Sequence, residues 1–202
     1  NAGTLNNDNG GWLFNADGGI LTNTGTLNNL AGAQLTNQDG SSLINNGTLT
    51  NSGWLGNDAG STLTNNATLT NDDVLVNFAT LQNNGALTNN VGGTITNSAT
   101  LVNNLGATLT NNGTLTNSAG GTFTNNGTFT NGGTFTNNGT LKGTGTILGD
   151  ITNSGTIAPG NSIGTMTITG NYTHGAGAFY QVEVNAAGQS DKLVVTGTAT
   201  LN

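Results

Sequence analysis

The sequence predicts an all-β protein, a three-sided parallel β-helix (β-solenoid) with about 18–22 residues per coil. Two observations carry that expectation. From Leu5 to Ile147 an apolar residue recurs every six or eight positions, twenty-two times in succession. Two residues after each of the first twenty stands an asparagine, from Asn7 to Asn137. A unit this short cannot bury its own apolar residue, so it must stack on copies of itself.

The repeating segment Asn-Gly-Thr-Leu-Thr-Asn has a local reading. In Thr-Leu-Thr the leucine points to one face of a strand and both threonines to the other. The asparagine at +2 shares the inward side but falls where the strand ends. The next residues are Asn, Ser or Gly and then usually Gly, which tolerate the positive φ of a corner. Helix is excluded, because apolar residues six apart share no face at 3.6 residues per turn, and Thr with frequent Gly disfavours it.

Grouping the units in threes gives coils of 22, 22, 20, 18, 22, 20 and 18 residues. Two-residue insertions such as Ala-Gly and Asp-Gly then fall in the bends. One side carries Leu5, Leu27, Leu49, Leu69, Leu87, Leu109, Phe129 and Ile147. The next carries Leu13, Leu35, Leu55, Leu75, Ile95, Leu115 and Phe135, and the third Leu21, Leu43, Leu63, Leu81, Leu101, Phe123 and Leu141. Strands of successive coils lie about 4.8 Å apart, so each inward asparagine meets its copies above and below. Such amide ladders net about 0.5–1.5 kcal/mol per hydrogen bond.

The chain divides into residues 1–150, the regular repeats, and 151–202, where the pattern loosens. In the second part the only proline, Pro159, sits at a bend, and Ala178–Val184 and Lys192–Val195 read as longer strands around a Gly188–Asp191 turn. Both ends fall inside the pattern, as expected of a piece of something longer.

Nine acids, two lysines and no arginine give a net charge of −7. That balance argues against nucleic acid and anionic membranes as partners, since phosphate contacts need a basic patch. There is no cysteine, hence no disulfide framework or thiol chemistry.

The run from Gly155 to Tyr172 (Gly-Thr-Ile-Ala-Pro-Gly-Asn-Ser-Ile-Gly-Thr-Met-Thr-Ile-Thr-Gly-Asn-Tyr), then Phe179–Val184 and Ser190–Gly197, resembles the barrel-proximal passenger region of bacterial autotransporters, the type V secretion proteins. The resemblance covers roughly residues 140–202, and the upstream repeats are similar to those of large autotransporter adhesins. It implies a right-handed β-helix, secreted through its own outer-membrane β-barrel and displayed at the bacterial cell surface. It also implies that residues 151–202 promote folding. The barrel itself is not in this sequence, nor is the globular domain that enzymatic passengers usually add.

No catalytic constellation is expected. The single histidine, His174, lies in a predicted turn, no Gly-x-Ser-x-Gly elbow occurs, and the acids are dispersed without arginine. No cofactor or metal is called for. Asp17, Asp39 and Asp58 recur one coil apart at one corner and read as turn residues rather than calcium ligands. The Asp72–Asp73 pair reads as solvated. The Asn-x-Thr sequons at Asn46, Asn66, Asn112, Asn126, Asn138 and Asn171 follow automatically from the repeat.

Outward apolar residues are the candidate binding feature. Trp12, Phe14, Trp54, Val74 and Val76 flank inward leucines of the second side and form an apolar stripe on one face. The function that the autotransporter resemblance implies is an adhesin or stalk, active in surface attachment or autoaggregation through multivalent contact of the Thr/Asn faces. Its expected partners are its own barrel, other copies, and host or environmental polymers. An alternative is ice binding through the Thr-x-Thr ranks Thr48/Thr50, Thr68/Thr70, Thr108/Thr110 and Thr128/Thr130, although Ala86 interrupts that row. A polysaccharide-active enzyme on the same scaffold comes third.

Overall fold

A computed structural model describes residues 1–202. It contains no helix; three parallel sheets of ten, ten and nine strands stack into a three-sided β-solenoid of about nine turns. Every third strand belongs to the same sheet. The first sheet starts with Thr4–Asn7, the second with Trp12–Asn15 and the third with Ile20–Asn23. Most strands have four residues, with the leucine and the asparagine facing in and the flanking residues facing out.

The register is the one that the spacing predicts. In the first sheet Leu5 pairs with Leu27, Leu27 with Leu49, Leu69 with Leu87, and Phe129 with Ile147. Leu13, Leu35, Leu55 and Leu75 align in the second sheet, and Leu21, Leu43 and Leu63 in the third. Coils of 22, 20 and 18 residues keep this register because the corners absorb the difference. Asp17 and Asp39 show how: each has a left-handed φ (57° and 56°) and precedes a left-handed glycine. Asp and Gly are the residues for which that conformation costs least.

The core is a single column of leucines, completely excluded from solvent from Leu27 onward. In one coil three phenylalanines replace them. Phe123, Phe129 and Phe135 come one from each sheet and meet edge to face, with centroids 5.2–6.0 Å apart. These separations fall in the range that aromatic quadrupoles favour. Past Ile147 the column continues through Ile151, Ile157, Met166, Ile168 and Tyr172.

Around this column run three asparagine ladders. Each Asn Nδ2 donates to the Oδ1 of the asparagine one coil later, at 2.6–2.9 Å. One ladder climbs from Asn7 through Asn29, Asn51, Asn71, Asn89 and Asn111 to Asn131. The second runs from Asn15 to Asn153 and the third from Asn1 to Asn125. The same Nδ2 also donates to a backbone carbonyl one coil later, at the start of the strand that follows its ladder partner, as Asn29 does to Trp54 O at 2.9 Å. These buried amides are therefore satisfied on both protons, which removes the cost of burying them.

The last coils depart from the sequence expectation in two places. Ala178–Val184 is not one long strand. Phe179–Tyr180 pairs with Thr156–Ile157, after which the chain leaves the stack. Val184 then forms an antiparallel bridge with Ser190, and the reversal lies at Asn185–Gln189 instead of Gly188–Asp191. Asp191 fixes this loop. Its buried carboxylate accepts from the Gly164 and Glu183 backbone N–H groups, both at 2.8 Å. A charge-assisted pair of that kind is stronger than a strand pairing between neutral groups.

Candidate functional site

The threonines at the strand starts and after the leucines make most of the outer faces, and among the regular repeats the second sheet is where tryptophan and phenylalanine replace them. Trp12, Gln34, Trp54 and Val74 align in one rank, and Phe14, Thr36, Gly56 and Val76 in the rank beside it. All five residues of the expected stripe thus lie on one face, over four successive coils. Trp12 and Phe14 are exposed, at 67% and 48%, and meet edge to face with centroids 5.8 Å apart. Trp54, Val74 and Val76 are half-buried, less open than the sequence suggests.

The reason for Trp54 is Gly56. A Cβ at position 56 would overlap Cη2 and Cζ3 of the indole, so the ring lies across the sheet directly over the glycine backbone. Most coils carry Thr where Gly56 stands, and none of the other strands up to Leu148 has Gly there. Thr36 lies in register between Phe14 and Gly56 and is only 4% exposed. The floor of the face is thus continuous from Phe14 to the Trp54 ring.

Carboxylates border this floor. Asp8, Asp72 and Asp73 occupy the corner before the second sheet, and Asp17, Asp39 and Asp58 the corner after it. Neither lysine is on this sheet: Lys142 belongs to the third and Lys192 to the first. Asp72 is held by its neighbours, with Ser52 Oγ donating to one carboxylate oxygen at 3.3 Å and Asn90 Nδ2 to the other at 2.6 Å. The three corner residues Asp17, Asp39 and Asp58 do not converge, and no group of three acidic or imidazole side chains is placed to hold a metal ion.

Other outward apolar residues lie in bends (Leu30, Phe78, Val91 and Leu105) and on strands of the other two sheets (Ile20, Ile44, Val102 and Leu148). No period marks Leu30, Val91 and Leu105 in the sequence, because they occupy the two-residue insertions. A further asparagine ladder was also not foreseen. It lies on the exposed corner before the first sheet, where Asn66 donates to Asn46, Asn84 to Asn66 and Asn104 to Asn84.

His174 corrects the sequence reading. It ends the strand Tyr172–His174 instead of lying in a turn, and both ring nitrogens are engaged. Nε2 lies 3.0 Å from Ala178 O and Nδ1 lies 2.7 Å from Tyr172 Oη. The carbonyl can only accept, so Nε2 carries the proton and Nδ1 accepts from the tyrosine. Burial pushes the Tyr172 phenol above its ordinary value, against the opposing pull of the Asn153 side chain. At Asp150 the Asn171 backbone N–H, and then its side chain, hold the carboxyl below its usual range.

Three hollows lie near the last coils; one of about 400 Å³ is bordered by Ile163, Gly188 and Lys192, and the other two differ in polarity. One, about 250 Å³, is polar and includes Lys142, Gln181, Glu183 and Asp191 in its walls. Both Asp191 oxygens are already taken by backbone donors there. The other, about 350 Å³, is apolar and is lined by Tyr172, Tyr180, Leu193, Val195 and Leu201. No protein-family model matches the chain, and no curated protein or solved structure is significantly similar to it.

Proposed function

We propose that this chain is a β-helical passenger segment of the autotransporter type, working outside the cell as an adhesin or stalk and not as an enzyme. The observation that carries the reading is the second sheet: an uncharged, aromatic-floored face set in a rod whose other outward positions are mostly threonine and asparagine. Exposed apolar patches on an otherwise polar surface mark sites of association. A repeated, rigid scaffold presents that patch at a distance and engages polymers or other copies multivalently. The right-handed winding, the partner β-barrel and the folding role of residues 151–202 belong to the same proposal, through the resemblance at 140–202.

The test is display of the segment on an intact barrel in a heterologous bacterium, scored for cell–cell aggregation and surface attachment. The expected result is attachment or aggregation that weakens when Trp12 and Trp54 are both replaced by Ser. Display without either behaviour overturns the reading.

Ice binding is the second reading, favoured by the first sheet, where Thr48 and Thr50 align with Thr68 and Thr70, and Thr108 and Thr110 with Thr128 and Thr130. Ala86 breaks the row between them, and similar Thr pairs occupy the other two sheets. Thermal hysteresis of the purified segment, without adhesion, would put this reading first.

A further inference from the structure

We infer that the Trp12–Trp54 face binds an extended amino-sugar polymer bearing free ammonium groups; this rests on the adhesive reading and names its polymer class. Three features of the face converge on that chemistry. The first is the floor. The half-buried Trp54 ring lies against Gly56, and the exposed Trp12 stands two strands away in the same rank, about 9.6 Å along the axis. That interval is comparable with a disaccharide unit, so successive indoles can take the C–H faces of alternate pyranose rings. Gln34 stands between them with an amide free for ring hydroxyls.

The second is charge. Six of the nine acids of the chain line the two corners that border this face, and no lysine shares it. Carboxylates on both flanks favour a cationic occupant and repel polyuronates or nucleic acid. An ammonium group near an indole gains a further electrostatic attraction from the ring. A neutral glycan would use only the floor, and a basic peptide only the border and the ring faces. A glucosamine polymer uses all of them.

The third is the glycine. At the position of Gly56 most coils carry Thr, a good strand residue. Glycine weakens a strand, and it is expected where something approaches the backbone closely. Here the something is the Trp54 ring, which a Cβ at position 56 would displace.

The two tryptophans are the only ones in the chain, so fluorescence excited selectively at tryptophan, leaving Tyr172 and Tyr180 dark, reads this face alone. The experiment titrates the full segment with soluble glucosamine oligomers, N-acetylglucosamine oligomers and polylysine. An emission shift with glucosamine oligomers, weakening as salt rises, is expected, with clearly weaker responses to the other two. Trp54→Ala is expected to weaken binding about tenfold. Gly56→Thr is expected to do much the same by lifting the ring, while restoring the residue that other coils accommodate there. Replacing Asp17, Asp39 and Asp58 by Asn suits the left-handed φ of the first two and should flatten the salt dependence.

Equal binding of polylysine would overturn the sugar assignment, and equal binding of the acetylated oligomer would overturn the ammonium assignment. No response to any of the three overturns the site. If displayed cells still attach while the glucosamine oligomers fail, the polymer class falls and the adhesive reading stands. Oligomer binding without attachment by displayed cells leaves the site and removes the adhesive role.

Discussion

Asn65 and Asn66 are adjacent in the chain, yet their side-chain amides donate in opposite directions along the solenoid. Asn65 Nδ2 donates forward to Asn83 Oδ1 at 2.8 Å, inside the corner. Asn66 Nδ2 donates backward to Asn46 Oδ1 at 2.7 Å, on its surface. The two ladders share a corner and a residue type but differ in solvent, and solvent decides what each is worth.

Replacing a rung of the inner ladder should therefore cost more than replacing a rung of the outer one. Asn83→Ala strands the buried Oδ1 of Asn103 and removes two side-chain bonds to backbone carbonyls. The expected loss is about 1–3 kcal/mol. Asn84→Ala, one residue on, should change stability by no more than about 0.5 kcal/mol, because water replaces its partners. Urea unfolding of the two variants checks this, and equal losses would contradict the assignment of inner and outer rungs.

Leu87 is buried in the middle of the leucine column. Leu87→Asp places an unpaired carboxylate there, which is expected to cost more than about 3 kcal/mol and to open the coils around it. Hydrogen exchange should show lost protection in Thr68–Asn71, Ala86–Asn89 and Thr108–Asn111, the paired strands. Undiminished protection there would refute the register.

Ser41 and Ser61 are buried at the same corner of successive coils, and neither hydroxyl has a hydrogen-bond partner. The next two coils place Ala79 and Ala99 at that position. Ser61→Ala removes an unsatisfied group without creating a cavity larger than the neighbours tolerate. It should raise stability by about 1 kcal/mol, read as a shift of the urea midpoint at constant slope.

Tyr172 gives the last coils an alkaline limit. Its phenol is raised above the ordinary 10.0, mainly by burial, so the folded state holds the proton more tightly than the unfolded one. The linked stability is fully present below that value and declines as pH rises through it. Tyr172→Phe should remove this decline while also releasing His174 Nδ1 from its donor. Denaturation midpoints measured from neutral pH to beyond 10.0 check both, and an unaltered alkaline decline in the variant would assign it elsewhere.

How far the sequence could be read depended on repetition. Leu27, Leu49 and Leu69 are legible because one rule, burial every third strand, fixes all of them together. Asn29 and Asn51 follow, since an inward amide is tolerable only if its copies satisfy it. Features that occur once escaped. The reversal at Asn185–Gln189 depends on Asp191 capturing the Glu183 N–H, a long-range choice that no local pattern announces. His174 belongs to a strand because its backbone pairs with Asn153 below and Leu201 above, a long-range pairing that the loosened local pattern does not announce. At the candidate site, Trp12 and Trp54 were visible as outward aromatics, but the tilt of Trp54 was not. Its signal was present in Gly56, a missing threonine whose meaning depends on the side chain two residues earlier.

The tolerance of the corners has a consequence for how such a chain can change over generations. Coils of 18, 20 and 22 residues advance the rod by the same single strand spacing. Duplicating or losing one whole coil therefore lengthens or shortens the molecule by a fixed step and leaves every other inward position where it was. Reach becomes a quantity that inheritance can adjust in units, independently of the composition of the Trp12–Trp54 face.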